Sequence, residues 1–268
     1  PTPTRTAGSA GKPHSANAFE YAFEGYESVD ASRLPPGPEV IRAAVDQAAP
    51  RSLTVVCISS LRDFADELRA RPALVKDRVR CVAVQGGLLW DAAAGAYLPD
   101  TSVNNGFDEE AAAFVYAHCF QHGIPLRVVS RHAVPLIPMQ LARSFAERTA
   151  CPVMRYLARA QFEGLVGLWQ RLCAGQLPAR CTKEWFWETF CGVGPEAFQR
   201  RGLDRMGAAD DIAPRLNGFV KPYDVVATMA VLPATEHLFL GGGPGGGPGL
   251  GETFSAGGVQ HRLLLDSR

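Results

Sequence analysis

Three runs of apolar, largely β-branched residues alternate with segments of helical period: LTVVCI (53–58), VRCVAVQGG (79–87) and LRVVS (126–130). Continuous apolar runs of this length suit strands buried on both faces. Between the first two, RDFADELRARP (62–72) sets Phe64, Ala65 and Leu68 on one helix face and is expected to stop at Pro72. Between the last two lies the clearest helix of the chain. Asp108 is a good N-cap, Glu109 and Glu110 suit the positive end of the dipole, and AAAFVYAHCFQH forms the body. Gly123 then serves as a natural C′ residue, and Ile124-Pro125 cannot continue the helix. Strand, helix and strand with short joins require parallel crossovers. The expected fold class is α/β, an open, mostly parallel Rossmann-like sheet flanked by helices.

The rest of the chain adds to this frame. PPGPEVIRAAVDQAAP (35–50) reads as a short helix with proline at both ends. From about 139 to 200 the pattern turns helical, through MQLARSFAERT, the stretch from Val153 to Cys173, and KEWFWETFC with its four aromatics. A packed helical subdomain is expected there. VKPYDVVATMAVLP (220–233) reads as a strand end or loop feeding a helix, and HRLLLD (261–266) as a last strand. The expected organisation is a linker or truncated N-terminal region over 1–34, an α/β domain over 35–240, and a Gly-rich segment with a final strand over 241–268. Residues 241–258 hold ten of the 27 glycines and are expected to be flexible, without the lysine and hydroxyl of a phosphate loop.

With 27 basic and 27 acidic side chains, the chain lacks the field that draws nucleic acid or anionic membranes. No apolar run approaches the ~18 residues of a membrane-spanning helix. Seven cysteines at wide, irregular spacing, with no CxxC pair, do not read as a disulfide framework, and a reducing, cytoplasmic location is expected.

Candidate chemistry gathers at a few places. His118 and His122 stand i,i+4 and could meet one metal, but a last helical turn favours histidine anyway, and no carboxylate lies between them. Gly86-Gly87 could admit a phosphate or simply mark a tight turn. Asp100, Ser102, Asn104 and Asn105 precede a helix start on the carboxyl side of a parallel sheet, where ligands bind. Adjacent amides suit hydroxyl-rich ligands, while Asn-Asn-Gly also favours turns outright. Asp224 precedes an apolar helix, as an N-cap or as a ligand for a hard cation.

Taken together, these segments resemble the inosine-uridine type nucleoside hydrolase family, over about 36–135 and again near 220–233. LTVVCISSLRDFADEL looks like the family's strand-turn-helix, VRCVAVQGG its strand ending in Met-Gly-Gly, SVNNGFDEEAAAFVYAHCFQHGIPLRVVSRHAV its Asn-bearing turn, helix and strand, and YDVVATMAVLP its His-Asp-Pro-Leu-Ala segment. The resemblance implies cleavage of the N-glycosidic bond of ribonucleosides by water on a tightly held Ca²⁺. It assigns Asn104, with Asn105 beside it, to substrate binding, Asp224 to both ribose and Ca²⁺, and Arg62 to the metal through its backbone carbonyl. Tyr223 takes the place of the histidine that assists the leaving base, where it could donate a proton or stack on a purine. Ser102 replaces a ribose-binding glutamate, and no counterpart of the family's opening DxDxxxDD strand is found.

Ca²⁺ takes about 6–8 oxygen ligands. Asp224, one carbonyl and waters make a weak site, so the chain alone is expected to be a poor catalyst. Two function classes follow: an N-glycosidase domain, incomplete or degenerate as given, and a non-catalytic nucleoside- or sugar-binding protein. A third, an α/β domain with no ligand, predicts that changes at Asn104 and Asp224 alter stability alone. The expected partner is a small nucleoside, with neither nucleic acid nor membrane, in a possible homo-oligomer.

Overall fold

The computed structural model describes residues 33–147, 150–177, 179, 181–240 and 251–264. The expected N-terminal linker, but for its last two residues, and most of the Gly-rich stretch lie outside the described residues. Contacts divide the chain into two compact units, one built from 32–135 and 222–268 and the other from 136–221, apart from the first residues.

The first unit is built on a five-stranded sheet. Its helices and strands begin with α1 (Gly37–Gln47), β1 (Leu53–Cys57), α2 (Arg62–Ala70), α3 (Pro72–Arg78) and β2 (Val79–Gln85). A hairpin follows, β3 (Leu88–Asp91) and β4 (Ala96–Pro99), then α4 (Val103–Phe107), α5 (Glu109–His122) and β5 (Leu126–Val129). The other unit interposes β6 (Ile137–Pro138), α6 (Met139–Ser144), α7 (Pro152–Cys173), α8 (Lys183–Cys191), α9 (Pro195–Arg200) and β7 (Phe219–Val220). The chain then closes the first unit with α10 (Tyr223–Met229), α11 (His237–Leu240), β8 (Glu252–Ala256) and β9 (Val259–Leu264).

The strand order is β1-β2-β5-β9-β8, parallel except for the β8–β9 pair. The three expected strands are thus neighbours, and β9, which holds His261–Leu264 of the expected last strand, supplies the fourth parallel strand. Residues 252–256, expected within a flexible stretch, form β8 instead. Gly257 and Gly258 both take positive φ, which suits the two-residue turn joining Ala256 to Val259. Pro72 ends α2 as expected but opens α3 one residue later, since proline is tolerated in a first turn.

Alternation along β2 divides the sheet's faces. Val82 and Val84 pack with Phe64, Leu68, Val115 and Cys119 of α2 and α5, whereas Cys81 and Ala83 pack with Val231 beyond α10. Each fully buried apolar side chain of this kind stabilises the fold by about 1.5–3 kcal/mol. α5 ends as its sequence dictates: the Asp108 carboxylate accepts from Ala111 N–H at 2.9 Å, and Gly123 takes the left-handed conformation.

The helical unit has its own core around Trp169, Phe186 and Trp187, with Met139, Leu216 and Val220. Trp169 is fully buried and its indole N–H donates to the Gly207 carbonyl at 2.9 Å, so the ring is buried without an orphaned donor. The aromatics of KEWFWETFC belong to this core, as expected of a packed subdomain.

Candidate functional site

The carboxyl edge of the parallel sheet is where β2 ends in Gln85-Gly86-Gly87. Asp100 comes down over Gly87: its N–H donates to the Gly87 carbonyl at 2.9 Å, and a methyl group on Gly87 would fall on its carboxylate. The double glycine therefore admits a side chain of the same chain, with Asp100 filling the space over Gly87.

Asn104 and Asn105, whose Asn-Asn-Gly sequence suggested a turn, lie within the short helix α4. Their side chains part company. Asn105 is 1% exposed; its amide N–H groups donate to Gly87 O (3.0 Å), Asp100 O (3.2 Å) and Asp100 Oδ1 (3.1 Å), and its Oδ1 accepts from the Tyr116 hydroxyl at 3.3 Å. That network faces inward and pins the loop.

Asn104 is also buried, but its Nδ2 donates to Gln85 O at 3.0 Å and to Gln85 Oε1 at 2.7 Å. The backbone carbonyl can only accept, which fixes which end of the Asn104 amide faces it, and hence which end of Gln85 faces Asn104. Asn104 Oδ1 and Gln85 Nε2 are left without a hydrogen-bond partner among the described residues. One acceptor and one donor stand side by side. Nearby in sequence, the Ser102 hydroxyl is buried and likewise lacks a partner, the kind of orphan that polar sites carry.

Tyr223 and Asp224 open α10. Asp224 was expected as an N-cap or a cation ligand, but Pro222 is the N-cap residue and no side chain caps the helix. The Asp224 carboxyl is solvent-exposed and makes no hydrogen bond or ion pair among the described residues, yet the surrounding chain desolvates it enough to raise its pKa. Tyr223 stands exposed beside it. α10 packs Val226 against Val129 and Leu264, near the carboxyl ends of β5 and β9. Farther on, Arg127 donates to the Ala230 carbonyl and Arg80 to the Val231 carbonyl, toward the strand starts. The helix thus begins over the edge that carries Gln85 and Asn104, on the face to which Gln85 points, two residues on from Ala83.

Arg62 sits at the start of α2, where its carbonyl lies within the helix's own first turn. Its guanidinium donates from Nε to Asp108 Oδ2 at 2.7 Å and reaches Asp66 at 3.5 Å. The hydrogen bond to Asp108 is the main reason its pKa is raised. Arg62 therefore ties the start of α2 to the cap of α5.

Among the described residues there is no group of three or more His, Cys, Asp or Glu side chains able to hold a metal ion. With the Asp100 carboxylate engaged by the Ser102 N–H and Asn105, Asp224 alone beside it on the edge, and the Arg62 carbonyl within a helix, the described residues do not fit Ca²⁺. His118 and His122 stand with tilted rings, centroids 4.1 Å apart, and burial followed by the neighbouring ring lowers the His118 pKa, but no third ligand joins them among the described residues. Cys57 ends β1 at the same edge, and burial pushes its thiol up to about 12, so it is no nucleophile at neutral pH.

Gln85 is the residue that sequence reasoning passed over. Its one signal was a polar side chain closing an apolar strand.

No family model and no curated protein matches the chain. Among solved structures it is similar to the type III effector protein XopQ complexed with adenosine diphosphate ribose, at 27% identity over 85% of this chain and 59% of that one, TM-score 0.62. The effector protein XOO4466 is similar at 26% identity over 85% and 58%, TM-score 0.61. A purine-preferring ribonucleoside hydrolase from Gardnerella vaginalis is matched at 15% identity over 87% and 62%, TM-score 0.46, which is too loose to carry weight. The chain spans less than two thirds of the length of each. No helix among the described residues is long and apolar enough to cross a membrane. The fold is α/β, a mostly parallel sheet flanked by helices, similar to the two effector proteins, and no comparison singles out the inosine-uridine-preferring family.

Proposed function

We propose that the first unit holds the ribosyl part of a nucleoside or nucleotide at the carboxyl edge of its sheet, and by itself does not cleave it. The Asn104–Gln85 pair carries this reading. Its remaining acceptor and donor complement a pair of neighbouring hydroxyls, which offer both functions at matching spacing. Asp224, on the same edge, adds a second acceptor. Tyr223 supplies an aromatic face for a base. The adenosine diphosphate ribose bound by XopQ is a ligand of this chemistry.

Hydrolysis of an N-glycosidic bond needs an activated water and stabilisation of an oxocarbenium-like transition state. The described residues furnish no metal cluster, and the edge's other carboxylate, Asp100, is engaged by the Ser102 N–H and the Asn105 amide. The second reading, an N-glycosidase domain, is favoured by Asn104 and Asp224 sharing that edge; it requires metal carboxylates beyond the described residues.

Calorimetry with adenosine diphosphate ribose in excess EDTA tests the first reading, with base release from inosine and uridine in Ca²⁺ as its counterpart. Binding in EDTA without base release is expected. Ca²⁺-dependent release of base would establish the second reading instead.

A further inference from the structure

His261 is 1% exposed, and both nitrogens of its ring are engaged. Its Nδ1 accepts from the Leu126 N–H at 3.2 Å, and its Nε2 lies 3.1 Å from the Ala256 carbonyl. A backbone N–H can only donate and a carbonyl can only accept, so the ring is neutral, with its one proton on Nε2. Burial holds its pKa below the ordinary histidine value, against a smaller rise from the Ala256 carbonyl.

The two bonds reach different places. Ala256 belongs to the β8–β9 hairpin itself, whereas Leu126 opens β5, one residue before the β5–β9 pairing begins at Arg127 and Arg262. His261 therefore ties the hairpin to the sheet beyond the end of the backbone ladder. Phe254, its cross-strand partner, stacks on the ring at 5.4 Å, and Phe120 of α5 meets it edge-on at 5.0 Å. The hairpin's turn rests directly on the end of α5. A methyl group on Gly257 would fall on the Phe120 carbonyl, and one on Gly123 would fall on the Gly257 carbonyl.

No anion meets the ring from the elements packed against it. Glu252 of β8 is exposed, Tyr97 of β4 lies against Phe254, and on α5 His118 and His122 pair with each other while burial keeps the Cys119 thiol protonated. Arg127 and Arg262 leave the sheet on its other face, toward the Ala230 and Phe239 carbonyls. An imidazolium here would be desolvated without a counter-charge, and its new Nδ1 proton would point at the Leu126 N–H.

We propose that the C-terminal hairpin is a latch, held on β5 and α5 by neutral His261 and released in acid. A ring that takes up protons less readily folded than unfolded contributes fully above its unfolded-state pKa, and loses that contribution as pH falls from there through the folded-state value. The bond to Ala256 survives protonation, so the hairpin keeps its own pairing and loses its tie to β5. The latch does not depend on the Asn104–Gln85 pair, since His261 and Gln85 project from opposite faces of the sheet.

Native-state amide exchange of the full chain tests this, each rate taken relative to that of an unfolded peptide at the same pH. From pH about 7.5 to about 5, protection of the Leu126 and β9 amides should fall about tenfold or more, because the released ring recovers its ordinary affinity for protons. His261→Gln, whose amide can accept from Leu126 and donate to Ala256 at either pH, should show no such fall. The Val82 and Val84 amides of β2 should stay protected throughout. Should the variant fail to fold, the parent's own ring decides: its NMR shifts should report a neutral imidazole at a pH where a free-peptide histidine, with pKa about 6.5, is already charged. The proposal is overturned if protection at Leu126 does not change with pH, if it falls alike in parent and variant, if β2 opens together with the hairpin, or if the ring titrates as in a free peptide.

Discussion

At the residue scale, the sheet edge divides into side chains that hold the loop and side chains that present groups outward. Asn105 is of the first kind. Asn105→Ala would leave the Asp100 carbonyl and the Tyr116 hydroxyl without the partner described for them, costing about 1–3 kcal/mol, visible as a lower urea midpoint at constant slope. Gln85 is of the second kind. In Gln85→Leu, Asn104 keeps the Gln85 carbonyl but the edge loses the Gln85 amide donor, so adenosine diphosphate ribose should bind about tenfold more weakly with stability changed by about 1 kcal/mol or less. Unchanged affinity would remove this pair from the site. Asn104 was legible because paired amides before a helix start are conspicuous. Gln85 was not, because its partner lies 19 residues away and nothing local marks a strand's last side chain as a hydrogen-bonding one. The Gly86-Gly87 pair was legible as a turn, but its occupant, Asp100, is known only from the folded chain.

At the element scale, strong local signals translated directly into structure. α5 combines a capping aspartate, acids in the first turn and a C′ glycine, and all three do in the fold what they promise in the sequence. The β3–β4 hairpin escaped notice because Leu89, Trp90 and Leu98 are exposed, leaving no alternation to read, and AAAG resembles a helix fragment more than a turn. The connection from α10 to α11 shows how charge completes an element. Glu236 accepts from Arg127 at 2.8 Å and from Arg80 at 3.4 Å, anchoring that connection to β5 and β2. The Arg127 hydrogen bond leads the causes that depress its pKa below the ordinary carboxylate value. A carboxyl depressed on folding stabilises fully above its unfolded-state value, and that contribution fades as pH falls through the folded-state value. Glu236→Gln should therefore lower the unfolding temperature at pH 7, and the gap between variant and parent should close in acid below the ordinary carboxylate range. A gap independent of pH would mean that the ion pair contributes nothing and that packing accounts for the difference.

At the scale of the whole molecule, the sheet and its carboxyl edge were legible because strand order in a parallel sheet follows from short crossovers, and ligand sites in such sheets follow from strand direction. The metal was not legible in the same way. Its expectation came from likeness to a family, and the described residues assemble no matching ligand set. The two readings of function then differ in one linkage. A ligand that binds only the folded chain stabilises it by about 2.7 kcal/mol at a hundredfold excess over its Kd, and this holds for a metal as for a nucleotide. If the edge holds ribose without metal, adenosine diphosphate ribose should raise the unfolding temperature by several degrees, equally in EDTA and in Ca²⁺, and Ca²⁺ alone should leave it unmoved. The cost of an absent metal would show otherwise: stabilisation by Ca²⁺ alone, or by the nucleotide only when Ca²⁺ is present. Either result would place carboxylates around Asp224 that the described residues do not supply, and would favour the N-glycosidase reading instead.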